Sequence, residues 1–446
     1  MEFIKKYKIT LLLAVVLAIV LCFFTFPFKN KSYIFDWDQA NDYEAVAKIA
    51  AGKFTLIGPR VTSDNGFFLG PWHYYFLIPF FVITHGSLDM GFFAVLLVQY
   101  LFVITSFILV KKWFGTLAAL TVGVFFATQA NIVAWGFMYV PLLSLLFFSF
   151  CLKTIKNPKF LPLLFLLFGF GCTTYAVFYA LIFPLTYISL SLLIQQKTTW
   201  KQFFLGAILA TVPYTPLLIF DLRHNFLNIK NMLGFAGGQA GSGAQAGYFT
   251  KVFFRALEVS WLNQEFAPYL SFIIVILTLV ILIVGALVLF KKNKLFIFIW
   301  LLSSLIPLAF FKGNVSEYYY APVILLTPIF LSGFLVKKGK IGQTLLVALI
   351  LLLVGLRLKD KYFSPSGVVL TDKIAVVKEL EKLNTKYSIS YELGLGQNSG
   401  YDTIFKTIGK NYVADGSSPL YTITYPNTPI SGTLLVTTGK LSIYKR

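Results

Sequence analysis

Phe35-Asp36-Trp37-Asp38-Gln39-Ala40-Asn41-Asp42-Tyr43-Glu44 follows an apolar run from Ile9 to Phe28, and this pairing decides how the chain is read. Four carboxylates stand directly after a segment long enough to cross a bilayer. Charged groups are costly near lipid and are kept there chiefly for function. The acidic loop therefore marks a membrane protein whose chemistry lies at the edge of the bilayer.

Composition agrees. The chain is 57% hydrophobic and only 13% charged, with a mean hydropathy of +0.77, which excludes an ordinary soluble domain. The 18% aromatic content suits lipid-facing walls and interfacial belts. A net charge of +20 would suggest nucleic acid in a soluble protein. Here the basic residues punctuate the ends of apolar runs, so they read as topology determinants and no nucleic-acid partner is expected. Cys22, Cys151 and Cys172 all fall within apolar runs, giving neither a disulfide framework nor a Cys/His metal pattern. Lys5, Lys6 and Lys8 precede the first run, which ends in Phe26-Pro27-Phe28-Lys29 without a small-residue cleavage site. It reads as an uncleaved anchor rather than a signal peptide.

Further spans are predicted at 89–110, 115–133, 137–153, 160–176, 177–194, 201–220, 268–290, 294–311, 318–336 and 341–356. Each is long enough, or nearly so, for a ~30 Å hydrocarbon core at about 1.5 Å per residue. Gly169, Gly171 and Thr173-Thr174 are expected to mark a tight reversal within 160–194. Segment 71–86, interrupted by Pro71, His73 and Pro79, is expected to be a re-entrant or interfacial helix. With a cytoplasmic N-terminus, the inner loops collect Lys111-Lys112, Lys153/Lys156/Lys159, Lys197/Lys201, Lys291/Lys292/Lys294 and Lys337/Lys338/Lys340, while the short outer loops carry Lys312. This satisfies the positive-inside rule and gives eleven spans with an outside C-terminus in a plasma (inner) membrane.

The expected fold is thus a polytopic α-helical membrane domain, 1–362, with outer loops at 29–88 and 221–267, followed by a small extracytoplasmic α/β domain, 363–446. In the first loop, 39–51 reads as an amphipathic helix with Ala40, Tyr43, Val46, Ala47 and Ala50 on one side. The second loop contains a Gly/Ala run, 234–247, expected to be mobile. The tail is predicted to hold a helix at 371–386 and strands at 387–393, 420–425 and within 433–444.

Several residues could carry chemistry. Asp36, Asp38, Asp42 and Glu44 are either charges favoured at a helix N-terminus, with Asp38 as a cap, or functional carboxylates. Their interleaving with Phe35, Trp37 and Tyr43 holds them at the interface and favours function, with Asp38 the leading catalytic candidate and Asp36 the second. Gly58-Pro59-Arg60 and Gly70-Pro71-Trp72-His73-Tyr74-Tyr75 form a rigid aromatic run, suited to a bilayer interface or a sugar ring. Arg60 gains nothing from positive-inside topology. Arg223 and His224 could bind phosphate through planar N–H donors, or Arg223 could pair with Asp221. Lys312, beside Glu317-Tyr318-Tyr319-Tyr320-Ala321-Pro322, poses the same question. There is no Walker loop, Rossmann glycine fingerprint, His-Glu-x-x-His or serine elbow.

Phe35 to Asp42 resembles the acidic first-loop motif of the GT-C superfamily of integral-membrane glycosyltransferases, in its protein O-mannosyltransferase and lipid A aminoarabinose transferase branch. Gly70 to Tyr75 is similar to that branch's Pro-rich aromatic motif, and Asp221 to Phe226 and Glu317 to Pro322 are similar to outer-face motifs of its bacterial members. The similarity covers 1–356. Better-known branches carry Asp-Glu where this chain has Asp38-Gln39, which places the catalytic burden on Asp38 or Asp36.

The resemblance implies inverting transfer of a sugar from a polyprenyl-phosphate donor to a lipid, glycan or protein acceptor on the outer face. A sugar phosphate is a good leaving group, so cations suffice to steady its departure. The acceptor hydroxyl needs a base, which a carboxylate supplies. On this basis Asp38 or Asp36 is catalytic, and Arg60, Arg223, His224 and Lys312 bind the lipid phosphate. Asp42, Glu44, His73, Tyr74, Glu317 and Tyr318 line the sugar or acceptor site, and 234–247 closes as a lid. No cofactor is required by these residues, although Asp36 and Asp38 are two of the ligands a divalent metal would need. The alternative is a transporter or flippase of lipid-linked sugars, which would more commonly show paired repeats with broken helices.

Overall fold

The structure is a computed structural model that describes residues 2–28, 31–61, 66–129, 136–236, 248–259, 268–310, 316–363, 368–394, 396–413, 419–426, 428 and 430–446. Among these residues, eight helices are long and apolar enough to cross a membrane: Ile9–Phe28, Met90–Phe114, Gly136–Lys156, Ala176–Ile194, Trp200–Arg223, Tyr269–Leu289, Tyr318–Lys337 and Gly339–Lys359. The chain is an integral membrane protein.

Three of the eleven expected spans form shorter apolar helices: Thr116–Thr128 and Pro158–Thr174, and Lys294–Phe310 with 17 residues. Segment 71–86 folds as the 12-residue helix Trp72–Ile83, hereafter the interfacial helix. Local signals set these boundaries. Lys111 and Lys112 occupy the last turn of Met90–Phe114, where they complement the helix dipole. Proline opens both Val140–Lys156 and Leu161–Thr174, where no N–H partner is lost.

The expected reversal at Gly169 and Gly171 does not occur there. Leu161–Thr174 runs straight through both glycines, and the chain breaks at the extended residue Tyr175. A Cβ at Gly169 would lie 2.1 Å from the Ala210 carbonyl oxygen, and one at Gly171 would lie 2.2 Å from the Phe178 ring. These glycines are needed for close approach of the neighbouring helix Trp200–Thr211 and of the following turn, not for a bend.

Two large apolar cores, and a small third around Val252, Ala256 and Tyr320, result among the described residues. One fills the membrane bundle, where Trp300 packs on Phe147, Phe148 and Phe296. Tyr318–Lys337 is the innermost span, 67% buried, whereas Trp200–Arg223 is 17% buried and faces lipid. The other core lies where the first loop, the interfacial helix and the tail meet. It runs without interruption from Val46 and Ile49 of the first loop, through Tyr74 and Leu77 of the interfacial helix, into Val376, Tyr387, Phe405 and Ile443 of the tail.

The tail forms a mixed sheet of β1 (Ser388–Glu392), β2 (Leu420–Thr424), β3 (Thr433–Thr438) and β4 (Leu441–Lys445) in the order β1-β2-β4-β3, with β1 parallel to β2 and the other neighbours antiparallel. The predicted alternation within 433–444 is a hairpin turning at Gly439 (φ +57°). Helices Leu370–Glu381 and Tyr401–Ile408 cover the sheet, the second of them unmarked in the sequence reading.

Candidate functional site

The acidic stretch folds as the helix Trp37–Ala50, the loop helix, with Asp36 as its N-cap. The Asp36 N–H donates to Gln39 Oε1 at 2.9 Å, so the residue that departs from the resembled motif serves to close the first turn. Asp38 and Asp42 are one turn apart on this helix and share a side.

The four carboxylates have different surroundings. Asp36 accepts from Lys373 Nζ of the tail at 2.7 Å. Asp42 is 4% exposed and pairs with His73 Nε2 at 2.7 Å. Glu44 accepts from Lys406 at 2.9 Å and Thr403 at 3.1 Å, again from the tail. Asp38 makes no hydrogen bond or ion pair among the described residues. Its side chain is exposed to solvent, on the same side of the loop helix as Asp42. Burial first, then repulsion from Asp42, outweighs the opposing effect of His73, and with a smaller contribution from Asp36 pushes its carboxyl above the usual aspartate range. Glu44 moves the other way, held low chiefly by its hydrogen bond from Lys406.

Behind Asp38, His73 is 2% exposed and its Nδ1 lies 3.0 Å from the Tyr139 hydroxyl. The imidazole thus bridges the Asp42 carboxylate and the Tyr139 hydroxyl. Asp42 and His73 are therefore buried partners of each other, whereas Asp38 faces solvent. Tyr74 and Tyr175 are within electrostatic reach of Asp38. Tyr318 joins them, its ring 6.4 Å from Tyr175 and 4.9 Å from Phe137.

Arg60, Arg223 and His224, three of the cationic candidates, belong to one corner. Residues 58–61 pair with 67–69 as a small hairpin, with Gly58 N donating to Leu69 O at 2.8 Å and Val61 N to Phe67 O at 3.0 Å. Asn228 clamps this hairpin through both Phe68 N (2.6 Å) and Phe68 O (3.1 Å). Arg60 lies over the Phe68 ring, Phe68 meets Phe220 edge-on, and His224 stacks on Phe220 with centroids 4.1 Å apart. Arg60 and His224 thus belong to one aromatic row. Arg60 also donates from Nε to Gly66 O at 2.9 Å.

Arg223 is exposed at the same corner, and Asp221 is not its partner. Asp221 is buried and accepts from Asn228 N at 2.6 Å. The corner is held by Asn225 and Phe226, both with positive φ (53° and 58°), a conformation costly for phenylalanine and maintained by its surroundings.

Lys312 and the 237–247 run lie outside the described residues, and Glu317 is placed only as the start of a short helical turn, Glu317–Tyr320. Among the described residues no group of three or more His, Cys, Asp or Glu could hold a metal, and of the two carboxylates proposed as ligands Asp36 is taken up by Lys373. The sequence reading missed Lys373, Tyr139 and Tyr175. It also missed Arg357, a buried arginine of the last span that donates to Gln129. An arginine inside an apolar run was the one available signal.

No protein-family model matches the chain, and no curated protein matches it by sequence. Solved structures do match. The chain superposes on ArnT from Cupriavidus metallidurans in the apo state with a TM-score of 0.59 at 11% identity, covering 98% of each chain. The fold is that of ArnT. ArnT bound to undecaprenyl phosphate gives a TM-score of 0.54 at 12% identity, again over 98% of each chain. The Archaeoglobus fulgidus oligosaccharyltransferase, in complex with zinc and sulfate, gives 0.51 at 12% identity over 90% of this chain and 62% of its own length. The ArnT match spans both membrane bundle and tail, so the resemblance drawn from the outer-loop motifs extends to the fold.

Proposed function

We propose that the protein transfers a sugar from a polyprenyl-phosphate-linked donor to an acceptor hydroxyl on the extracytoplasmic face, with Asp38 as general base. The observation that carries this reading is that Asp38, alone of the four carboxylates in the stretch 36–44, makes no hydrogen bond or ion pair among the described residues, and it is exposed to solvent with Tyr74 and Tyr175 within electrostatic reach. Support for the donor class comes from the ArnT fold, one ArnT structure holding undecaprenyl phosphate.

In the proposed reaction Asp38 takes the proton of the acceptor hydroxyl as its oxygen attacks the anomeric carbon. The bond from that carbon to the phosphate oxygen breaks, and polyprenyl phosphate leaves with the electron pair. One displacement inverts the anomeric centre. The leaving phosphate needs no proton, only cations, and Arg60, Arg223 and His224 are the proposed clamp, with Lys312 from the next outer loop. Tyr74 and Tyr318 offer faces for the sugar. The raised carboxyl suits a base, since a higher pKa strengthens proton abstraction.

The test is transfer of radiolabel from undecaprenyl-phosphate-linked hexoses and pentoses to membrane acceptors by purified protein. Label moved by wild type and not by Asp38→Asn supports the reading. Transfer by both at equal rate removes Asp38 from the base role, and transfer by neither with every donor removes the enzyme.

A further inference from the structure

Trp37 stands next to Asp38 and is 65% exposed, an unusual state for a large aromatic on a folded surface. Its indole makes no ring contact and no hydrogen bond among the described residues, so neither its face nor its N–H serves the fold. Most of the loop helix is committed elsewhere. Gln39, Ala40, Asp42, Val46 and Ile49 are buried, Tyr43 donates to Gly86 O at 2.6 Å, and Glu44 is held by the tail. Asp38 and Asn41 share the exposure of Trp37, and Asn41 likewise makes no hydrogen bond among the described residues.

Helix geometry puts these three side by side. Trp37, Asn41 and Asp38 lie in that order across an arc of about 100°, spread over about 6 Å of helix axis. Trp37 and Asn41 are i, i+4 neighbours, and Asp38 and Asn41 are i, i+3 neighbours. The result is one contiguous stripe that offers an open aromatic face, an indole N–H, a carboxamide and a carboxylate.

Those groups match one class of ligand. A pyranose ring has a face of C–H groups and a rim of hydroxyls. The indole covers the face, while the carboxamide, both donor and acceptor, and the carboxylate, acceptor only, serve the rim. A peptide fits less well, because the backbone here is bonded within the helix and offers an extended chain no ladder of partners. A phosphorylated group would meet repulsion from Asp38. Lipid anchoring would carry Asn41 and Asp38 toward the hydrocarbon along with the indole, which is costly.

We propose that Trp37, Asn41 and Asp38 form the acceptor subsite, and that the acceptor is a neutral sugar ring stacked on Trp37 with a hydroxyl brought to Asp38. The proposal rests on Asp38 being the base, since the surface beside the base is the one the acceptor meets. It narrows the acceptor to a saccharide hydroxyl, on a free or a lipid-borne glycan.

The test is fluorine NMR of the full chain labelled with 5-fluorotryptophan, in nanodiscs, whose lipids carry no sugar headgroup. Seven tryptophans give seven resonances. Trp37→Phe assigns the one of interest, with Trp37→Tyr in its place if that variant fails to accumulate. Neutral methyl glycosides of hexoses and N-acetylhexosamines are titrated to about 10 mM, above the usual range of KM values. A saturable shift of the Trp37 resonance with at least one glycoside, weakened about fivefold in apparent affinity by Asn41→Ala, supports the proposal. No shift with any glycoside would overturn it. So would a shift confined to serine or threonine peptides or to sugar phosphates, or broadening by spin-labelled lipid in place of a glycoside response. Binding is read without donor or turnover, so this failure is distinct from failure of the base assignment, which shows as full transfer activity in Asp38→Asn.

Discussion

Asp38 owes its role to the partners of its neighbours. Asp36 meets Lys373, Asp42 meets His73 and Glu44 meets Lys406, which leaves Asp38, of the four carboxylates in 36–44, without a partner among the described residues. Losing a positioned base costs about 10²–10⁴-fold in rate, so Asp38→Asn should reduce transfer by that much while the protein still inserts and melts normally. The pH dependence has a definite sign. The base works deprotonated, and its pKa is raised, so the rate falls as pH drops through a midpoint above about 3.9, the ordinary aspartate value. His73→Leu is a different case, because it strips the partner from a carboxylate that is 4% exposed. Leaving a buried charge unpaired costs about 3–5 kcal/mol, so chemical or thermal melting should show a large loss even if substrate is never added. Normal melting would mean that water replaces the imidazole. The sequence reading put Asp38 first because acidic residues beside a span are rarely idle. It could not separate Asp42 and Glu44 from direct contact roles, since their partners His73, Thr403 and Lys406 are set by packing across 31 to 362 positions.

Element by element, periodicity and length were informative because lipid imposes them. An apolar run of about 20 residues has one outcome in a bilayer, and the expected spans recur as helices, three of them short. The turn chemistry was misread at Gly169 and Gly171, since a glycine that admits a neighbouring backbone and a glycine that bends the chain look alike in one sequence. Gly169→Val should therefore act through overpacking against Ala210, at about 1–3 kcal/mol, and appear as lowered thermal stability. A wild-type melting curve would show that the two helices can separate freely. The hairpin carrying Arg60 depends on Asn228, which satisfies both polar groups of Phe68. Asn228→Ala leaves these without their partner, worth about 1–3 kcal/mol, and is expected to weaken donor binding more than it slows bound substrate, visible as a raised KM. An unchanged KM would separate that corner from the donor site.

Taken whole, the molecule is a membrane bundle and a tail domain that share an outer core, so the tail is built into the first loop rather than appended to it. Two ion pairs cross the junction, and they are unequal. The Glu44–Lys406 pair has side chains 34% and 67% exposed; solvent screening limits such a pair to about 0–1 kcal/mol. Its contribution is present above about pH 4.3 and lost as pH falls, since Glu44 is the member held low in the folded state. Lys406→Ala should hardly alter melting at neutral pH, in contrast to loss of the buried Lys373, which removes three hydrogen bonds and the partner of Asp36. The tail's helix and strands were legible from their patterns. Its docking was not, because nothing local in Thr371-Asp372-Lys373 distinguishes a lysine that faces water from one buried against a distant N-cap.

The central claim is that Asp38 is the base for sugar transfer from a polyprenyl phosphate. Single-turnover transfer from radiolabelled undecaprenyl-phosphate sugars, followed against pH for wild type and Asp38→Asn, tests it most directly. The account predicts an acid limb above the ordinary aspartate range in wild type and a rate at least about 10²-fold lower, without that limb, in the variant. A variant that matches wild type in rate and profile would contradict it.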